Sequence, residues 1–541
     1  MVAALALLVA LLAPGSAAAF GPISSFGSEG EEAGQLSAPT GIAVGPDGDF
    51  YVADEGNDRV DVFSPAGEFL FAFGAGVRPD GGAVCDEESG CQSGDGGHAA
   101  GALERPTGIA VSTAGDVYVA EEGNDRVSVF SGSGSFEFAF GYGVDPAGGD
   151  KCTAASGCQA GSNLRVPEIP AIFTQEGPEG ALGKPSGVAV DASGKVYVAE
   201  AGNSRVSVFG PQGNFLYMFG REVEGIAFAN VCTVNCEKGG WNYAGAGGFE
   251  EPLGIALLAR NRIAISDAGF QRLDVFTREG AFEEAIGHEV SPVGGDFCTE
   301  ATECKAGSGE GAGALEAPAG IAVAPDGSLT VADLGLQRVS QLNPIGEFVR
   351  AFGFGVIDGA EAFEVCTPLT GCTEGLQGSA PGATSNPFGV IEACGSIFVT
   401  ESTSGVSRVE RFGEPGSTAL CRPRDKETPP PAPSAVVVTV VPTNAFQLGA
   451  LQRDRRKGTA TLRVSVPGPG RLTLRGDGLY PVERGLAAAA SLQLPVHLIG
   501  KSRRALLAVG QRETTAKVTF TPNGGTARTE TRKLTLVKRR S

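Results

Sequence analysis

Along most of this chain, short apolar runs alternate with clusters of Gly, Asp, Asn and Pro. GIAV, FYVAD, RVDVF and FLFAFG follow one another between Gly41 and Gly74, separated by turns such as GPDGD. Short runs rich in Val, Ile, Phe and Tyr and bounded by turn formers predict β-strands, so the chain reads as all-β. The amino terminus departs from the pattern. MVAALALLVALLAPGSAAAF is an uncharged apolar run closing on small residues, which predicts an export signal over 1–19 cleaved after Ala19, although the usual basic start is missing. The run is too short, and too soon broken by Pro and Gly, for a membrane span, and no second apolar stretch of spanning length follows.

The same order of runs returns six times. Copies begin at Pro39, Pro106, Pro185, Pro252, Pro318 and Pro387, and the glycines two residues on are 66 to 69 residues apart except for one interval of 79. Four strands per copy is the size of one β-propeller blade. The pattern P-x-G-[IV]-A-V, then [VI]-x-V-[AST]-[DE], then N-x-R-V-x-V-F resembles the NHL repeat family over residues 20–413. It is full in copies one to three and degraded in copies four to six, where Phe270 and Leu336 replace the Asn of the turn. The resemblance implies a six-bladed propeller over 20–421. After SRVERF the sixth copy lacks a fourth strand, and FGPISSFG at residues 20–27 matches the missing run, so an amino-terminal strand is expected to complete the last blade and close the ring.

Five copies carry a Gly-rich insert after the fourth strand, of the kind FGYGVDPAGGDKCTAASGCQAGS. In an antiparallel blade the second-to-third turn and the end of the fourth strand lie at one end, so the inserts are expected beside the DEGNDR turns. The inserts hold ten of the twelve cysteines, as Cys85 and Cys91, Cys152 and Cys158, Cys232 and Cys236, Cys298 and Cys304, and Cys366 and Cys372. In an exported chain these read as local disulfides, with Cys394 and Cys421 left for each other. Zinc would need two such pairs to converge or added histidine, and the chain has only His98, His288 and His497. Closing so small a loop restricts the unfolded chain by about 2 kcal/mol.

Each copy also pairs an acid with an arginine: Asp54 and Arg59, Glu121 and Arg126, Glu200 and Arg205, Asp267 and Arg272, Asp333 and Arg338, Glu401 and Arg408. A catalytic site is made once around an axis, so a pair made six times reads as a hairpin brace or a blade-to-blade hydrogen bond. No catalytic, cofactor-binding or metal-ligating set emerges; an all-oxygen calcium site stays open. Some propellers of this kind are hydrolases or lyases with metal ligands around the central channel, which makes a metal-dependent hydrolase or lyase the alternative reading. Here the positions before the first-strand glycines (Thr40, Thr107, Ser186, Leu253, Ala319 and Phe388) are half apolar.

Charge divides the chain. Residues 432–541 carry 19 Lys and Arg against 5 Asp and Glu, whereas the whole chain has 42 against 62, leaving 23 against 57 before residue 432. So acidic a propeller would repel nucleic acid. One tryptophan, Trp241, and seven tyrosines give little for stacking on sugars. A protein or peptide partner fits better. The Pro run at 422–434 predicts a linker. Beyond it, AVVVTVV, GTATLRVSV, GRLTLRG and TTAKVTFTP, with a hairpin turn at Asn523–Gly525, predict a β-sandwich over 435–541 that resembles immunoglobulin-like or fibronectin-like modules. Its basic surface suits an acidic cell-wall polymer or the acidic propeller itself. Together these readings describe an extracellular or cell-surface binding protein with a disulfide-pinned face.

Overall fold

Pro39–Val44, Phe50–Asp54, Arg59–Phe63 and Phe69–Phe73 pair in order as an antiparallel sheet. The two middle strands are buried at every position, the polar Asp54, Arg59 and Asp61 included, since neighbouring sheets cover both faces. A fifth strand, Val84–Cys85, adds to the outer edge through Ala72 and Phe73. The sequence reading of four strands per copy is thus one short: the insert itself supplies the edge strand. Four more five-stranded sheets of this order begin at Pro106, Pro185, Pro252 and Pro318. The sixth has four strands, with Gly21–Phe26 antiparallel to Val406–Gly413 from Gly21 opposite Gly413 to Phe26 opposite Val409.

The computed structural model describes residues 20–162, 179–414 and 444–538 except 225–228, 234–235, 237–238, 241–243, 404, 469, 477, 480–481, 487–489, 499 and 523–525. The export signal at 1–19, the linker at 422–434, the AVVVTVV run, Trp241 and the turn at Asn523–Gly525 lie outside the described residues.

The chain divides into two compact units, Met1–Glu427 and Thr428–Ser541. In the first, the apolar cores lie between successive sheets. Val60, Phe73, Val117 and Phe130 join the first sheet to the second, and Phe50, Phe63, Phe398 and Val409 join the sixth to the first. The first strands approach so closely that a Cβ on Gly41 would overlap the Thr107 carbonyl oxygen, and one on Gly389 would overlap that of Thr40. Hydroxyls stitch these strands together: Thr40 Oγ1 donates to Pro106 O at 3.1 Å, and Thr400 Oγ1 donates to Thr40 O at 2.6 Å. The glycine of the P-x-G motif is therefore required by the close backbone approach of neighbouring first strands.

In the second unit, two antiparallel sheets of three and four described strands share one core, including Leu462, Val464, Leu474, Val518 and Phe520. A helix at Gly500–Val509, from KSRRALLAV, departs from the all-strand reading of this stretch.

Candidate functional site

The acid–arginine pairs sit at the ends of the middle strands, and five of the arginines are fully buried. Asp54 accepts from the Ser37 amide at 2.6 Å and the Asn57 side chain at 2.7 Å, with Arg59 Nε 3.4 Å away. The remaining donors of Arg59 turn to backbone. They reach Glu31 O at 2.6 Å, Glu32 O at 3.1 Å and Gln35 O at 2.6 Å in the segment entering the sheet, and Gln92 O at 3.1 Å in the insert leaving it. Arg126 repeats this fan, donating to His98 O at 2.6 Å and Ala102 O at 2.7 Å in the first insert and to Gln159 O at 3.4 Å in the second. Arg338 bridges Glu310 O at 2.9 Å and Thr373 O at 2.9 Å, and Arg272 bridges Gly248 O at 3.0 Å and Lys305 O at 3.1 Å. Arg205 donates to Ala181 O at 2.5 Å and Glu200 at 3.0 Å. In the sixth sheet, Arg408 meets Glu401 at 2.9 Å and Ser379 O at 2.9 Å. Arg126, Arg272 and Arg338 thus clamp successive inserts, and Arg59 clamps the entering segment to the first insert, a task for which the planar fork of donors is suited.

A third member of the brace escaped the sequence reading. In copies two and three the strand-end acid is Glu121 or Glu200, long enough to reach both the arginine Nε, at 2.8 and 3.0 Å, and the hydroxyl of Ser128 or Ser207. In copies one and four it is Asp54 or Asp267, one methylene shorter, and the Nε donates instead to Asp61 at 2.8 Å or Asp274 at 2.9 Å. The exchange of Glu with Ser for Asp with Asp, seven residues apart, was visible in the sequence.

Copy five has the short member at both places, and Arg338 Nε and Ser340 Oγ are buried with no hydrogen-bond partner.

Burial outweighs the arginine in the double-acid braces: desolvation raises Asp61 to about 6 and Asp274 to about 7. Because the folded value of Asp274 exceeds the unfolded 3.8, its contribution to stability is complete below about pH 4 and is lost as pH rises through about 7. Asp274→Asn is expected to flatten urea-midpoint profiles between pH 4 and 8 and to raise the midpoint at pH 8. A profile as steep as the parent's would contradict the buried-carboxyl assignment.

The five insert disulfides have Cα separations of 5.3 to 5.6 Å. In each, the first cysteine lies in the fifth strand, and the bridge packs on the fourth strand and a valine, as with Ala72 and Val77 in the first. The pairing of Cys394 with Cys421 lies outside the described residues. Each insert also returns to the second-to-third turn: the amides of Gly94, Gly161, Gly239, Gly307 and Gly375 donate to the carbonyls of Asn57, Asn124, Asn203, Phe270 and Leu336. Inserts and turns therefore occupy one end of the repeats, and the inserts are welded to the sheets rather than appended outside them. Glu87, Glu88, Glu300 and Glu303 stand exposed on the loop tips, and Leu369 is 98% exposed.

Where the first strands of the six sheets meet, a space of 80 Å³ is lined by Thr107, Ser186 and otherwise apolar residues and glycines, with no titratable side chain. Among the described residues no three His, Cys, Asp or Glu side chains are grouped to hold a metal. His288 Nδ1 lies 3.0 Å from Ser308 O within an insert, and the His98 carbonyl is held by Arg126. In the second unit, Arg456, Lys457, His497, Arg503 and Lys538 line a cleft of 610 Å³ that has no carboxylate.

Residues 36–63, 103–130 and 182–209 match the model of the NHL repeat, each window ending with the third strand and so containing the acid, the arginine and the third side chain of the brace. Three copies are NHL repeats. The protein brain tumor of Drosophila melanogaster is 26% identical over 197 residues, 36% of this chain and 14% of that protein. The E3 ubiquitin-protein ligase TRIM71 of Rattus norvegicus is 48% identical over 48 residues, 9% of this chain and 6% of the ligase. The chain thus spans less than a sixth of either relative. A streptogramin B lyase structure aligns with a TM-score of 0.39 at 12% identity, over 74% of this chain and 99% of the lyase.

Proposed function

We propose that this chain is an exported binding protein, in which a closed six-bladed propeller at 20–421 presents one disulfide-pinned end to an extracellular protein or peptide. The observation that carries the reading is the brace: buried guanidinium groups fix pairs of inserts to each other and to the turns. A rigid, acidic, solvent-facing surface results, as pre-organised recognition requires. The three NHL repeats support a protein-binding scaffold. Five local disulfides fit an oxidising compartment and hence export through the 1–19 signal. In this reading residues 422–434 link the propeller to an immunoglobulin-like sandwich at 435–541, whose cationic cleft takes an acidic cell-wall polymer. The narrow axial space without acid or base favours binding over turnover.

The test is capture of a partner from the medium on immobilised, disulfide-intact protein. A variant with Glu87, Glu88, Glu300 and Glu303 changed to Lys is expected to fold normally and lose capture. Association by the parent is expected to slow as salt rises from about 0.05 to 0.5 M and the screening length falls from roughly 14 to 4 Å. Metal-dependent turnover of a lactone that ends on chelation and survives these substitutions would instead place the function in the channel.

A further inference from the structure

Phenylalanine pairs seal five of the six junctions between successive sheets in the first unit. A fourth-strand phenylalanine meets one near the end of the next sheet's third strand: Phe73 with Phe130 at 4.9 Å, Phe140 with Phe209 at 4.8 Å and Phe219 with Phe276 at 5.1 Å. Phe352 with Phe412 and Phe26 with Phe63, both at 4.9 Å, seal two more. Between the fourth and fifth sheets the pair is Ile286 and Leu342. The two neighbouring ring positions change as well. Where the first junction has Tyr51 and Phe71, this one has Ala264 and Glu284.

Two clefts open there, of 440 and 400 Å³, and Ile286 and Gly346 border both. The walls close in on Gly346, where a Cβ would stand 2.7 Å from Ile286 Cδ1 and 2.9 Å from Phe297 Cε1. Phe297 is 36% and Ile345 67% exposed, so the apolar floor is open to solvent. The larger cleft has two charged residues in its lining, Asp296 and Glu347, both acids. The smaller is lined by Arg260 and Arg262 and by Glu284 and Asp326, and Arg262 is held by Glu283 at 3.9 Å and Glu284 at 3.5 Å, so the acidic excess lies in the larger.

We propose that the groove between the fourth and fifth sheets binds a polypeptide segment that inserts an aromatic side chain beside a basic residue. The other junctions show what such a socket receives, a phenylalanine ring delivered from a strand, and here the chain does not supply it. The two rim carboxylates complement a cation next to that ring and oppose an acidic segment. None of the four loop-tip glutamates lines either cleft, so binding here is scored separately from the outcome at those tips.

The probe is acetyl-Lys-Phe-Lys-amide, titrated into the full chain and followed by the δ1-methyl signals of 13C-labelled isoleucines, Ile286 and Ile345 among them. Those two methyls are expected to shift together. The Ala analogue should bind about tenfold more weakly, the scale set by burying one phenyl ring, and acetyl-Glu-Phe-Glu-amide should bind more weakly still. Ile286→Phe combined with Leu342→Phe, which restores the missing pair, is expected to raise Tm and abolish the Ile345 shift. Should the double variant fold poorly, Glu347→Lys on the exposed turn carries the test, weakening the parent peptide severalfold in dilute salt. Equal binding of the Phe and Ala peptides, shifts confined to other methyls, or indole binding as tightly as the peptide with no effect of Glu347→Lys would each overturn the proposal.

Discussion

Arg126→Ala is expected to cost at least about 3–5 kcal/mol of unfolding free energy, as removing one partner of a buried ion pair does. The side chain is wholly buried, and its loss strips Glu121 of a counter-charge 2.8 Å away. It also leaves the carbonyls of His98, Ala99, Ala102 and Gln159 without their guanidinium donors. Against a typical domain stability of about 5–15 kcal/mol, that is a large share. Arg126→Lys should recover little, since one ammonium cannot span carbonyls on two inserts. Urea denaturation measures the loss, and the first and second inserts should exchange their amide protons faster in either variant. An Ala variant within 1 kcal/mol of the parent would show that the inserts hold themselves.

Removing residues 20–27 is expected to have the next largest effect. Phe26 packs against Phe63 at 4.9 Å and Phe50 at 5.5 Å, and Phe20 against Phe352 at 5.0 Å, so the strand seals two junctions besides pairing with Val406–Gly413. Its removal leaves that strand as an unpaired edge, and a truncated chain should melt at lower temperature and associate edge to edge. Phe26→Ala, which keeps the backbone pairing, should fall between the two; burying a Phe is worth about 3–5 kcal/mol at a fully packed site, and this one is only half-buried. An unchanged melting temperature on truncation would contradict the closing role of the strand.

Much of this arrangement was legible in the sequence because it repeats. The strand runs, the P-x-G approach at the axis and the short Cys spacings each report a local demand that the chain meets again and again. Features that depend on a partner strand were harder to read. Val84–Cys85 is a strand only because Ala72 and Phe73 lie beside it, and two residues in a Gly-rich insert carry no period. Asp61 and Asp274 stand at polar positions of an alternating strand that would face solvent on an open sheet, yet neighbouring sheets cover both faces and bury them. Ile286 and Leu342 are ordinary core residues until the third strand of one sheet is set against the fourth of the sheet before it. The helix at Gly500–Val509 lies in a stretch whose neighbours all read as strands, and its Leu506 joins the same core as they do.

The reading of this chain as a binding protein is tested most directly by where a captured partner sits. Amide hydrogen exchange of the free and partner-bound chain should show protection concentrated in the Cys85–Cys91, Cys152–Cys158 and Cys298–Cys304 loops and the turns beneath them. Protection centred instead on Thr40, Thr107 and Ser186 at the axis, with the loop tips unchanged, would contradict it.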